Sequence, residues 1–111
     1  MKTLTKLDEN VMLVILKLKD NAYIVTIKNR LEEYLDRSIS FGALYLSLNR
    51  LVRDGYLTTV IGESVSVKGG KAKKYYRLTK EGINMLREVQ QLQRLLWEGF
   101  EKLADDFQEI R

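Results

Sequence analysis

The stretch KGGKAKKYYRLTKEG, residues 68–82, decides how the rest of the chain is read. Five of the ten residues from Lys68 to Arg77 are cationic and none is anionic; two glycines open the run and a tyrosine pair closes it. KKYYRL alternates as a strand does, while YLTTVI (56–61) and SVSV (64–67) upstream are rich in β-branched residues. With Gly69 and Gly70 between them, the segment predicts an antiparallel hairpin whose loop carries Lys68, Lys71, Lys73 and Lys74. The chain before this hairpin, and the chain after it, has the periodicity of helices.

Thr5-Lys6-Leu7-Asp8 has capping-box spacing, in which a hydroxyl and a carboxylate reciprocally satisfy free amides at a helix start. Leu7, Val11, Val14, Ile15 and Leu18 follow at helical spacing. The apolar run Val11 to Leu16 alone would also suit a buried strand, but the cap and the length favour a helix. Met12, Leu13 and Leu16 make this helix apolar on further faces, so it is expected to pack against more than its own domain. Asp20-Asn21 offers a cap for a second helix, Ala22 to about Arg37, with Tyr23, Ile24, Ile27, Leu31, Tyr34 and Leu35 on its inner face. Ser40 caps a third, with Leu44, Leu48, Leu51 and Val52 as the buried stripe and Gly55 as the terminator. Tyr45 and Asn49 then share another face, with Ser40, Gly42 and Ala43 at the exposed amino end. Thr79 caps a last helix of about 30 residues whose stripe runs through Met85, Val89, Leu92, Leu96, Phe100, Leu103, Phe107 and Ile110. One small core cannot cover a stripe of that length, so a second chain is the expected partner.

At 111 residues there is room for one domain with its own hydrophobic core. Without proline, low-complexity tract or internal repeat, the chain reads as one continuous unit. Cysteine and histidine are both missing, so a nucleophile–base pair would need Ser, Thr, Lys, Asp or Glu, and no spacing suggests one. Gly69 and Gly70 lack the pattern of a nucleotide-phosphate loop, and the adjacent pairs Glu32-Glu33 and Asp105-Asp106 face different directions as solvated surface. The expectation is a protein that is not an enzyme and holds no cofactor or metal. The longest apolar run is far short of the ~20 residues that cross a bilayer, and no leader signature precedes it, so a cytoplasmic address is expected. Charge is distributed unevenly: 15 basic against 8 acidic residues through Lys80, and 4 against 7 from Glu81 on. A basic front with an acidic tail suggests a polyanion-binding surface plus a segment with a separate task, although a merely solubilising surface would share that signature.

Three helices and a hairpin, with a tight join before helix three, describe a winged helix-turn-helix: mainly α with a small β-hairpin (α+β). Residues 1–79 form the expected DNA-binding domain and residues 80–111 a long C-terminal dimerisation helix. In such a fold the third helix enters the major groove amino end first, so Ala43, Tyr45 and Asn49 would face the groove. Ser40, as a helix cap, could also donate to phosphate, Arg50 or Tyr23 could touch the flanking backbone, and Lys68, Lys71, Lys73 and Lys74 would bind phosphate without reading sequence.

The residues that build this arrangement also carry a family resemblance. Ser40-Phe41-Gly42-Ala43-Leu44-Tyr45-Leu46-Ser47-Leu48-Asn49-Arg50-Leu51 resembles the G-[TSA]-L-Y-x-x-L-x-R-L recognition helix of PadR-like transcriptional regulators. GGKAKKYYRLTKEG resembles their GGR-x-x-KYYxLTxxG hairpin, and Asp20-Asn21-Ala22-Tyr23 the start of their second helix. Leu46 stands where many relatives have proline, which should leave a more regular helix, and Lys71 replaces a frequent arginine, giving a point charge instead of a bidentate fork. The single tail helix resembles the short-tailed branch of the family. That resemblance implies a homodimer joined through the first and last helices, with Val11, Ile15, Val89, Leu92, Leu96, Phe100, Leu103 and Phe107 at the contact. It further implies a repressor on a roughly palindromic operator of double-stranded DNA, and a small aromatic or cationic effector for which Trp97 and Phe100 would offer stacking surfaces. The competing reading from another class is a winged-helix protein-interaction module without DNA, whose hairpin would tolerate loss of charge.

Overall fold

The computed structural model describes residues 3–62 and 72–108. The SVSV strand, Lys68, Lys71, the glycine pair and Ile110 lie outside those residues. Helix α1 (Lys6–Leu18) is followed by a short 3-10 turn (Lys19–Asn21), then α2 (Ile24–Leu35) and α3 (Phe41–Arg53). Strands β1 (Leu57–Ile61) and β2 (Lys74–Leu78) pair antiparallel, with Leu57 opposite Leu78 and Ile61 opposite Lys74. Helix α4 (Lys80–Trp97) and a short α5 (Phe100–Asp105) complete the chain. The expected winged helix-turn-helix is therefore present, and none of the described helices is long and apolar enough to cross a membrane.

Val11, Met12, Val14 and Ile15 of α1 meet Ile27 and Leu31 of α2, Leu44, Leu48 and Leu51 of α3, and Leu57 and Tyr76 of the strands. Each of these large side chains contributes roughly 1.5–3 kcal/mol by leaving water. This packing corrects the assignment of Val11 and Ile15 to a contact between chains: they are 0% and 1% exposed, wholly consumed by their own core. The apolar surface that α1 leaves open is Leu13 and Leu16 instead. Val52 and Tyr34, expected inside, are exposed as well. Tyr34 lies on the outer side of its helix, where Lys17 Nζ stands 5.7 Å from its ring centre.

Among these apolar groups sits one carboxylate. Thr5 Oγ1 accepts from the Asp8 amide at 3.0 Å, as a cap should, but the Asp8 side chain serves α3. It is 1% exposed and accepts from Ser47 Oγ at 2.7 Å and from Arg50 Nε at 3.0 Å, with a second guanidinium nitrogen on its other oxygen. Burial alone would raise the Asp8 pKa; hydrogen bonds from Arg50, Ser47 and Thr5 more than offset it and hold the group below the ordinary carboxylate value. Ser47 is buried as a consequence, and Arg50 is turned towards α1.

Helix α2 begins later than its sequence suggests. Ala22 and Tyr23 are extended, because Tyr76 N donates to Ala22 O at 2.8 Å and Tyr23 bridges to Tyr75 on the free edge of β2. The Asp20-Asn21 cap is thereby displaced to Tyr23, whose amide donates to Thr26 Oγ1 at 3.0 Å. At the other end of the chain, the continuous 30-residue helix is interrupted. Thr79 caps α4 as expected, with Gly82 N donating to its hydroxyl at 3.0 Å, but Gly99 adopts φ 77° and separates α4 from α5. Glycine, lacking a Cβ, adopts that left-handed conformation readily, and the apolar stripe is broken at residue 99. The tail extends away from the core, giving overall dimensions of 64 × 29 × 21 Å.

Replacing Asp8 by Asn should lower stability at neutral pH by about 2–4 kcal/mol, the lower part of the range reflecting a guanidinium that reaches solvent. Because the folded-state pKa of Asp8 is depressed, its stabilisation is full above the unfolded value near 3.8 and lost as pH falls through the folded one. Urea titrations at neutral and acid pH should therefore show a smaller acid-induced loss in Asp8→Asn than in the wild type. An equal loss in both would remove Asp8 from the acid response.

Candidate nucleic-acid interface

The connection from α2 to α3 is held by Glu32. Its carboxylate accepts from the Ile39 amide at 2.8 Å and from Lys28 Nζ at 2.9 Å, and those two hydrogen bonds, Ile39 first, lower its pKa. Asp36, at φ 51°, supplies the left-handed residue that ends α2. Ile39 then enters the core, and Ser40 Oγ accepts from Ala43 N at 3.0 Å to start α3. Lys28 Nζ also stands 5.2 Å from the ring centre of Phe41, so the turn is closed on both sides of that lysine.

With Leu44, Leu48 and Leu51 turned inward, α3 presents Gly42, Tyr45, Leu46, Asn49 and Arg53 to solvent, with Ala43 half-buried beside them. Ala43, Tyr45 and Asn49 are thus on the open side, as expected, and Ser40 is the plain helix cap that its type suggests. Arg50 is the exception among the expected contacts, since its guanidinium grips Asp8.

Strand alternation sends the two described lysines of the hairpin in different directions. Lys73 Nζ lies 4.4 Å above the ring centre of Tyr23, whose ring meets Tyr75 edge-on at 5.6 Å. Lys74 Nζ lies 6.0 Å from the ring centre of Tyr76. Burial raises the pKa of the Tyr76 hydroxyl, and the nearby phenol of Tyr45 raises it further. Lys73 is consequently tied to the start of α2, while Lys74 lies beside the ring of Tyr76 on its own strand. Of the lysine cluster that the sequence suggests, the two described members thus lie against different rings. Lys28 and Arg53 belong to no motif singled out in the sequence, although the helical periodicity that places Asn49 outward also places Leu46 and Arg53 there.

The remaining apolar surface belongs to α1, α4 and α5. Leu13 and Leu16 line an open groove of about 560 Å³ with Ile83, Leu86 and Val89 of α4. Beyond it Leu92, Leu95, Leu96, Leu103 and Phe107 are exposed, Leu96 at 68% and Phe107 at 73%. Trp97 and Phe100 straddle the break at Gly99 with ring centres 4.8 Å apart, and the indole N–H donates to Gln93 Oε1 at 3.2 Å. Among the described residues, no cluster of acidic side chains is arranged to hold a metal ion.

Ser40→Ala should remove the cap of α3 and cost about 1 kcal/mol, read as a lower urea midpoint with an unchanged slope. An unchanged midpoint would show that the Ala43 amide finds an equivalent partner in water.

Comparison with known proteins places this geometry among regulators of transcription. The transcriptional regulator PadR-like family matches residues 12–88. A PadR-like transcription factor from Bacteroides fragilis is 31% identical, with 87% of this chain and 88% of that one covered and a TM-score of 0.71. A PadR family regulator from Eggerthella lenta DSM 2243 is 34% identical over 85% of this chain and 80% of its own, with a TM-score of 0.66. A third, from Clostridium difficile R20291, is 26% identical over 93% and 98%, with a TM-score of 0.65. No curated protein matches the chain.

Proposed function

The chain belongs to the PadR-like family of transcriptional regulators, and from that premise we propose that it is a repressor binding a pseudo-palindromic operator as a homodimer. The observation that carries this reading is the outward side of α3, with Tyr45 and Asn49 exposed, in a fold whose hairpin base carries Lys73 over the Tyr23 ring and Lys74 near the Tyr76 ring. Ala43, Tyr45 and Asn49 enter the major groove, where an asparagine can pair with both N6 and N7 of adenine. Lys73 and Lys74 bind phosphate alongside and supply affinity without sequence preference. The Tyr23 ring beneath Lys73 holds the ammonium in place and leaves its N–H donors free for phosphate.

A twofold pair of subunits presents this surface twice. The exposed stripe of Leu92, Leu96, Leu103 and Phe107, with Val89 and with Leu13 and Leu16 of α1, is the surface that a second copy covers. A small aromatic or cationic effector would enter between the subunits, where Trp97 and Phe100 are half-exposed. A cytoplasmic address follows from the DNA target.

Charge reversal of Lys73 and Lys74 together should weaken binding to specific and random duplexes alike, and flatten the log–log salt dependence by about one unit per lost phosphate contact. An unchanged slope would exclude the hairpin base from the mechanism. Glutamate at Leu92 and Leu96 should convert a dimer into a folded monomer, as read by sedimentation equilibrium. Persistence of the dimer would place the subunit contact elsewhere.

A further inference from the structure

We propose that Leu46 is a specificity-determining residue that reads thymine through its 5-methyl group in the major groove. The inference rests on the DNA-binding reading above and adds a base contact that the polar side chains of α3 cannot make.

Two features of α3 have no explanation within the monomer. Leu46 is 66% exposed on a helix whose inner face already has its full complement of leucines. A lone exposed leucine would be unremarkable by itself. One turn earlier, however, stands Gly42, where an added Cβ would meet nothing within 4 Å. Its φ lies outside the left-handed region, so neither turn geometry nor internal packing requires a glycine there. Glycine nevertheless loses more backbone entropy than alanine on entering a helix.

Steps of about 100° per residue place Gly42, Leu46, Asn49 and Arg53 along one ridge, diametrically opposite Leu44, Leu48 and Leu51. The ridge therefore offers backbone clearance at its amino end, then an aliphatic side chain, then an amide, then a cation. A partner that comes closest at residue 42 and has an apolar group in reach of residue 46 fits this order. In the major groove that apolar group is the thymine methyl; cytosine presents an amine and adenine an amine beside an acceptor, none of which leucine can satisfy. Covering those groups with an aliphatic side chain would strand a donor or acceptor away from water, so Leu46 discriminates against the other bases as well as favouring thymine. Asn49, next along the ridge, addresses the neighbouring base pair.

The test begins by selecting bound duplexes from a random pool with the full chain and, in parallel, with Leu46→Ala. The best duplex is then resynthesised with each thymine replaced singly by deoxyuridine, which removes only the methyl. For the wild type, one such replacement per half-site should weaken binding about fourfold, the contribution of one buried methyl-sized group. Leu46→Ala should bind the two versions equally and should lose the thymine preference at that position in its selected pool. Circular dichroism confirms the fold of the variant. If the wild type distinguishes thymine from deoxyuridine nowhere, the inference fails while DNA binding stands. Retention of the full discrimination by Leu46→Ala would overturn it equally. Failure of the wild type to enrich any sequence would instead defeat the DNA-binding reading, and this inference with it.

Discussion

A carboxylate buried between α1 and α3 fixes the geometry on which the rest of the molecule depends. Asp8 gives up its hydration, and Ser47 and Arg50 replace it from the opposite helix. Leucine contacts alone would tolerate a range of sliding positions between two helices. Hydrogen bonds to both oxygens of one carboxylate select a single register. The choice matters because the two helices carry different surfaces: α1 exposes Leu13 and Leu16 beside the tail, and α3 exposes its outer ridge. The orientation of the outer ridge of α3 relative to the apolar groove beside the tail therefore passes through this one cluster. In the twofold dimer proposed above it would set the separation and tilt of the two copies of α3.

A second constraint positions the hairpin. Ala22 and Tyr23 interrupt the passage from α1 to α2 to pair with β2, so that β2 has a neighbour on both edges. The hairpin is thereby anchored at its base to the helical body, and the aromatic side chains of that base hold the lysines. Lys73 lies over the ring of Tyr23, which Tyr75 meets edge-on, and Lys74 lies near the ring of Tyr76. Cationic charge at the hairpin base is thus held beside two aromatic rings, Lys73 over Tyr23 and Lys74 near Tyr76.

Most of the fold was legible because its signals are local. The hydroxyls of Thr5, Ser40 and Thr79 each cap the helix that their spacing indicates, and Gly55, at φ 82°, ends α3 as a glycine there should. The misreadings arise where tertiary contacts override local rules. Capping-box spacing points the Asp8 carboxylate at its own helix start, yet its spacing to Val11, Met12 and Ile15 places it on the buried face, and that spacing is the signal of its tertiary role. Its partner Arg50 lies 42 residues away and could not be paired from one sequence. Ala22 and Tyr23 read as helix because nothing local announces a two-residue strand. Val11 and Ile15 lie in their own core and not between chains; periodicity identifies an apolar face without saying which neighbour covers it. The break at Gly99 was hidden by an apolar stripe that continues in step across it, although a glycine within a helical pattern is itself a warning.

The central claim is that the outer side of α3 and the hairpin base form one surface, presented twice by a twofold dimer. Hydroxyl-radical footprinting on a duplex that the protein enriches tests this most directly. The account predicts two protected patches on the same side of the duplex, related by a dyad and centred about one helical turn apart. Each should extend to phosphates flanking the base contacts, and the flanking protection should fade when Lys73 and Lys74 are reversed. A single asymmetric patch, or protection unaffected by those lysines, would contradict it.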